Sequence, residues 1–98
     1  MPGYVILHKF TQQGATSIIK TLPERIRHAT EDAKNVGARV VGVWVTMGEY
    51  DMVAVVDAPD DATMALIALK VGMKGNVTTQ TLRAFSEDEF AKIAAKLP

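Results

Sequence analysis

Two valine-rich runs separated by three residues constrain this chain more than any other feature. Residues 39–46 and 50–56 are β-branched, almost free of charge between their ends, and divided only by Met47, Gly48 and Glu49. Runs this short make strands, and so brief a separation leaves room only for a hairpin. With Gly48 and Glu49 at its centre, Gly48 supplies the positive φ of a type II′ turn and Met47 pairs with Tyr50. That register places Arg39, Val41, Val43, Val45 and Met47 on one face with Tyr50, Met52, Ala54 and Val56. Trp44 and Thr46 share the other face with Asp51, Val53 and Val55. Both faces are apolar, so the sheet needs cover on two sides.

The remaining pattern surrounds this hairpin with two helices and two more strands. Residues 4–10, bounded by Gly3 and by Thr11-Gln12-Gln13-Gly14, form a first strand with Tyr4, Ile6, His8 and Phe10 on one face. After Gly14 the chain predicts a short turn through Ile18, Ile19 and Lys20 and a break at Thr21. A helix then runs over about 22–36, opened by Pro23 and a Thr21–Glu24 capping box and closed by Gly37 in a left-handed cap. Ile26, Ala29, Ala33 and Val36 make its apolar face, and Arg25, Arg27 and His28 a solvated one. Asp60 caps a further helix whose expected stripe is Ala62, Ala65, Leu66, Leu69 and Met73, ended by Gly72 and Gly75. A more polar last strand covers residues 76–85. Ser86 and Glu89 then form the capping box of a terminal helix with Phe90, Ile93, Ala94 and Leu97 along one side.

The order β-α-β-β-α-β plus a helix is the ferredoxin-like α+β arrangement, one domain over residues 1–98. Two helices cover one face of its four-stranded antiparallel sheet. The second apolar face argues for a homodimer or higher homo-oligomer, with a second sheet as its cover.

Composition removes several function classes. Eleven Lys and Arg balance eleven Asp and Glu, so no net field holds nucleic acid or anionic lipid. With no cysteine and two separated histidines, neither a thiolate nucleophile nor a metal site is expected, and no cofactor is implied. No leader or membrane-spanning run is present, which gives a cytoplasmic expectation.

The candidate site residues are few. Arg83 alternates with Thr79 and Thr81 on the last strand, a guanidinium-plus-hydroxyl face suited to a small carboxylate-bearing metabolite, although solvation of an edge strand produces the same pattern. Asp51 beside Glu49 has the composition of an acid pair, but Glu49 lies in the turn, and Asp51 reads better as a turn acceptor. Trp44 and Tyr50 read as core or interface anchors before stacking platforms. His8 is a proton carrier or, more simply, an interior hydrogen-bonding group.

At the hairpin the sequence resembles the GYD domain family, whose Gly-x-Tyr-Asp signature stands here as Gly48-Glu49-Tyr50-Asp51. Tyr4-Val5, Phe10-Thr11 with Gly14, Pro23-Glu24-Arg25, the segment from Gly42 to Met47, Ala58-Pro59-Asp60-Asp61, Gly75-Asn76-Val77 and Arg83-Ala84-Phe85 extend the resemblance over nearly the whole chain. It implies a subunit of the dimeric α/β barrel superfamily, two sheets packed face to face, and carries no catalytic residue across. More distantly, the hairpin and the Gly75-Asn76-Val77 segment are similar to the effector domain of leucine-responsive and asparagine-type regulators. Those domains bind amino acids between subunits, but the helix-turn-helix that binds DNA has no counterpart here.

Three functions compete. A homo-oligomeric small-metabolite binding or sensing module, using Arg83, Thr79, Thr81, Asp51, Tyr50, Trp44 and His8, ranks first. An assembly protein without a ligand ranks second. A cofactor-independent oxygenase or isomerase using His8, Trp44 and Asp51 ranks third, so a catalytic role is the less favoured reading.

Overall fold

The structure is a computed structural model that describes residues 1–98. Its elements are β1 (Gly3–Phe10), α1 (Gln12–Ser17), α2 (Leu22–Asn35), β2 (Arg39–Val45), β3 (Met52–Asp57), α3 (Asp61–Met73), β4 (Val77–Ala84) and α4 (Glu87–Ala94). The four strands form one antiparallel sheet in the order β2-β3-β1-β4, so the expected ferredoxin-like α+β fold is present. No helix is long and apolar enough to cross a membrane.

The alternation of β1 and β3 divides the sheet into two faces. Tyr4, Ile6 and His8 of β1 and Met52, Ala54 and Val56 of β3 are buried beneath the helices. With Ala33 of α2, Met64 of α3, Ala38 and Ala58 they include the main core, against which Val40, Val43 and Ile67 pack. A smaller cluster of Ile18, Leu22 and Met52 secures the start of α2. Val5, Leu7, Val53 and Val55, half-buried, lie on the opposite face with Trp44 and Leu82, and no helix covers them.

The hairpin keeps its expected register near the turn: Val45 opposes Met52, Trp44 opposes Val53, and Gly48 has φ +107°. The loop is wider than a two-residue turn, because Thr46 N–H donates to Asp51 O and Thr46 Oγ1 donates to Tyr50 O, so Tyr50 lies outside the ladder. Further along, Val41 is an extra residue between Val40 and Gly42. This bulge reverses the expected orientation of the start of β2: Val40, not Val41 or Arg39, faces the core with Val56.

Three helix details also differ from the sequence reading. The first short helix begins at Gln12, earlier than expected, because Thr11 Oγ1 accepts the Gly14 N–H at 3.0 Å and caps it. The Thr21–Glu24 box does not form. Thr21 arrives from a tight turn with φ −106° and ψ 13°, its hydroxyl donates back to Ile18 O, and Glu24 lies 3.7 Å from Arg27 instead. On α3 the expected stripe is the outward side: Leu66, Leu69 and Met73 are exposed, while Met64, Ile67, Ala68 and Val71 face the sheet. Both sides of α3 are apolar, so its pattern names no inner face. Gly72 lies inside this helix, and Gly75, with φ +75°, follows its end.

Other ends match their sequence signals. Gly37 (φ +84°) donates to Lys34 O and Ala38 N–H to Ala33 O, which closes α2 in a Schellman motif. Asp60 Oδ1 accepts the Thr63 N–H at 2.8 Å, and Ser86 and Glu89 form a complete capping box. The α4 helix that this box starts has no buried residue, and Phe90, Ile93 and Leu97 stay exposed.

Candidate functional site

The seven candidate residues do not converge. Arg83, Thr81 and Thr79 share the helix-side face of β4 as expected, opposite Tyr4, Ile6 and His8 respectively. Arg83 is already engaged. Its guanidinium lies 5.6 Å from the Tyr4 ring centre and 4.5 Å from that of Phe85, donates to Gly3 O and Ala84 O, and sits 3.9 Å from Glu89. It therefore ties the last strand to the first strand and to α4. Tyr4 is held from the other side by its hydroxyl, which donates to Asp61. That hydrogen bond, and then burial, raise the phenol above its ordinary range.

Tyr50 occupies the open face, the reverse of its expected side, because the chain leaves the ladder before Met52. Its hydroxyl donates to Gln80 Oε1 at 2.9 Å, and Lys9 Nζ lies 5.3 Å from its ring centre. Trp44 is on the same open face, over Gly42, where a Cβ would come within 2.6 Å of the indole. Asp51 closes the β1–β3 ladder: Oδ2 accepts the Phe10 N–H at 2.8 Å. It is an acceptor as expected, but for the neighbouring strand rather than for its own hairpin.

His8 alone of the proposed acid/base group faces a cavity. It is 7% exposed, and Nδ1 stands 3.2 Å from Met52 O. A carbonyl only accepts, so Nδ1 carries the proton and Nε2 is the free lone pair. Burial lowers the imidazole's pKa below 6.5, against the opposing pull of the Met52 and Ile6 backbone groups. With Trp44 on the far face and Asp51 bound to a backbone amide, the three residues of the oxygenase or isomerase reading are not assembled into one site.

The cavity lies between α2, α3 and the sheet. Two adjoining hollows of about 100 and 130 Å³ share His8, Ile26, Ala29, Met52, Val71 and Lys74 in their lining. The space exists because Ala29 and Ala33 of α2, Ala54 of β3 and Ala68 of α3 are small where a close-packed core would place larger side chains. Thr79, opposite His8, adds a hydroxyl to the lining. At the mouth stand Arg25, His28, Lys70 and Lys74 with one carboxylate, Asp32. Sequence reading treated Arg25 and His28 as simply solvated. Only the approach of the end of α3 to the start of α2 gives them a shared position.

The family motifs now have structural reasons. Gly14 is required because a Cβ there would lie 1.9 Å from Asn76 O. Thr11 pairs with the same segment, its N–H donating to Asn76 O and its hydroxyl to Gly75 O. Gly48, Tyr50 and Asp51 shape the hairpin end and fasten it to β1 and β4. The family model of the GYD domain matches residues 4–94. The chain belongs to the GYD domain family. Among its relatives is the glutamine synthetase and cystathionine beta-lyase binding protein of Thermus thermophilus, 39% identical over 85 residues, which span 86% of this chain and 88% of the relative. The GYD domain fold also matches solved structures. An FFRP crystal structure has TM-score 0.63 and 18% identity, covering 87% of this chain and 100% of that one. A second protein from Thermus thermophilus has TM-score 0.55 and 22% identity over 88% and 95% of the two chains. A hypothetical protein from Pyrococcus horikoshii has TM-score 0.55 and 19% identity over 89% and 93%. At these identities the solved structures speak to the fold alone.

Proposed function

We propose that this chain is a homo-oligomeric cytoplasmic binding module that docks on other proteins and catalyses no reaction itself. The observation that carries the reading is the apolar surface left open by so small a domain. Trp44 and Leu82 on the sheet, Leu66, Leu69 and Met73 on α3, Phe90 and Ile93 on α4, and Leu97 just beyond it are between 41% and 85% exposed. Apolar surface on this scale marks interaction sites in soluble domains. The open sheet face carries Val5, Leu7, Trp44, Val53, Val55 and Leu82 with no helix over them, which suits a second copy packing on it about a two-fold axis. The outer side of α3 remains for a different partner. The relative's name supports an enzyme of amino-acid metabolism, a glutamine synthetase or a cystathionine β-lyase, in that role.

The test is co-elution of the chain with those two enzymes from its own host, followed by size-exclusion chromatography with light scattering. A stoichiometric complex with at least one enzyme, lost in the Leu69→Glu/Met73→Glu variant, is the expected result. A wild-type chain that co-elutes with neither enzyme at tens of micromolar overturns the docking reading.

A small-metabolite site is the second reading, favoured by the α2–α3 cleft, whose apolar lining with a few convergent polar groups is the usual form of a ligand pocket. In this reading the ligand contacts His8 and Thr79 rather than Arg83, whose Nη1 donates to two backbone carbonyls and whose Nη2 lies 3.9 Å from Glu89.

A further inference from the structure

We propose that the cleft between α2 and α3 binds a small anionic amphiphile: a carboxylate at Arg25 and Lys74 with a short hydrocarbon tail over Ile26, Met52 and Val71. The inference rests on the small-metabolite reading and names the class of ligand.

Charge is the first ground. Four of the eleven Lys and Arg side chains, Lys9, Arg27, Arg39 and Arg83, stand within 4 Å of a carboxylate, and of the seven that do not, three, Arg25, Lys70 and Lys74, line this one cleft. Three unpaired cations and His28 surround one opening, against the single carboxylate of Asp32. A chain of zero net charge thus places three unpaired cations at the mouth of an apolar cleft, and an anion there gains charge-assisted hydrogen bonds.

The lining is the second ground. Apolar walls do not favour a bare inorganic anion, because most of the ligand's contact would be with hydrocarbon. The two hollows, about 100 and 130 Å³, are each smaller than an engineered cavity of about 150 Å³ that takes up benzene, and together they exceed it. A tail of about six to eight carbons lying along both is therefore the matching scale.

His8 sets the orientation. Its Nδ1–H is committed to Met52 O, and the buried ring is neutral, so the floor offers no cation to draw the carboxylate inward. The charge stays at the rim and the tail enters.

Sodium octanoate is the probe, titrated calorimetrically into the full chain, with acetate and 1-octanol as controls. Octanoate is expected to saturate one site per chain, and acetate to give no heat. The Arg25→Gln/Lys74→Gln variant should bind octanoate about tenfold more weakly, the equivalent of one hydrogen bond to a charged group, with 1-octanol unaffected. Ala68→Leu, checked for folding by circular dichroism, should abolish both by filling the cleft. Absence of saturable octanoate binding below about 1 mM overturns the proposal. So does octanoate affinity that survives either variant. Binding of 1-octanol but not octanoate sinks the anionic class and leaves the small-ligand reading standing. Loss of oligomer in Ala68→Leu without any octanoate binding assigns the cleft to a protein chain and also overturns the proposal.

Discussion

Asp51 Oδ2 accepts the backbone N–H of Phe10 at 2.8 Å, in the position where the next carbonyl of a continuing β3 strand would have stood. Its own N–H donates to His8 O at 2.8 Å, so one residue finishes the β1–β3 ladder from both sides. The last acid of the family signature is thereby a strand cap. Asp51→Ala should cost about 1–3 kcal/mol in urea unfolding, the range for removing a charged partner from a part-buried donor. Asp51→Asn, which keeps an acceptor, should cost less. Equal losses in both variants would show that the hydrogen bond is not the source of the effect.

Two glycines on helices should respond in opposite directions. A Cβ at Gly14 meets the Asn76 carbonyl at 1.9 Å, a backbone group that β4 pairing holds in place. Gly14→Ala should therefore destabilise by about 3 kcal/mol or more, at the upper end of overpacking costs. A Cβ at Gly72 meets nothing within 4 Å, and the residue is inside α3. Gly72→Ala should stabilise by about 0.5–1 kcal/mol through helix propensity alone. Thermal melts of the two variants beside the wild type check both signs.

Local physics is what a sequence exposes, and these two glycines already divide along that line. Strand runs, the caps at Asp60 and Ser86, and the left-handed Gly37 are local, so the element order and the ferredoxin-like topology could be read directly from residues 1–98. The inner side of α3 was not legible because Leu66 and Leu69 are as apolar as Met64 and Ile67, and only packing decides between them. The bulge at Val41 left no sequence mark, and it reversed the faces expected for Arg39 and Val41. For the cleft, His8 was legible as an interior group on β1. Arg25 and Lys74 belong to different parts of the chain, and their common mouth is a tertiary fact.

Acid should weaken the fold through His8. Burial lowers its folded pKa below the 6.5 of the unfolded chain, so the unfolded state binds the proton more readily. The neutral ring's contribution is complete above pH 6.5 and declines as pH falls from there toward the folded pKa. His8→Gln retains a donor for Met52 O and does not titrate. The fall in melting temperature between about pH 7 and pH 5.5 should be shallower in this variant than in the wild type. Parallel curves would mean that His8 is not the group responsible.

Trp44 reports on the open face. Its indole lies over Gly42 and is 54% exposed, beside the uncovered Val53 and Val55. If a second sheet packs there, the only tryptophan of the chain becomes an interface anchor and leaves water. Its emission should then move to shorter wavelength as concentration rises from about 0.1 to 100 µM, in step with mass by light scattering. Trp44→Ala should weaken association by about 2 kcal/mol, as expected of a central aromatic, with little change in the melting of dilute protein. Gly42→Ala provides a second measurement, since a Cβ 2.6 Å from the ring must lift the indole off the strand. It should weaken association by displacing the Trp44 ring without removing it. A constant emission wavelength and a monomer mass across the whole range would rule out the paired-sheet assembly, and an oligomer insensitive to both variants would move the interface to α3 or α4.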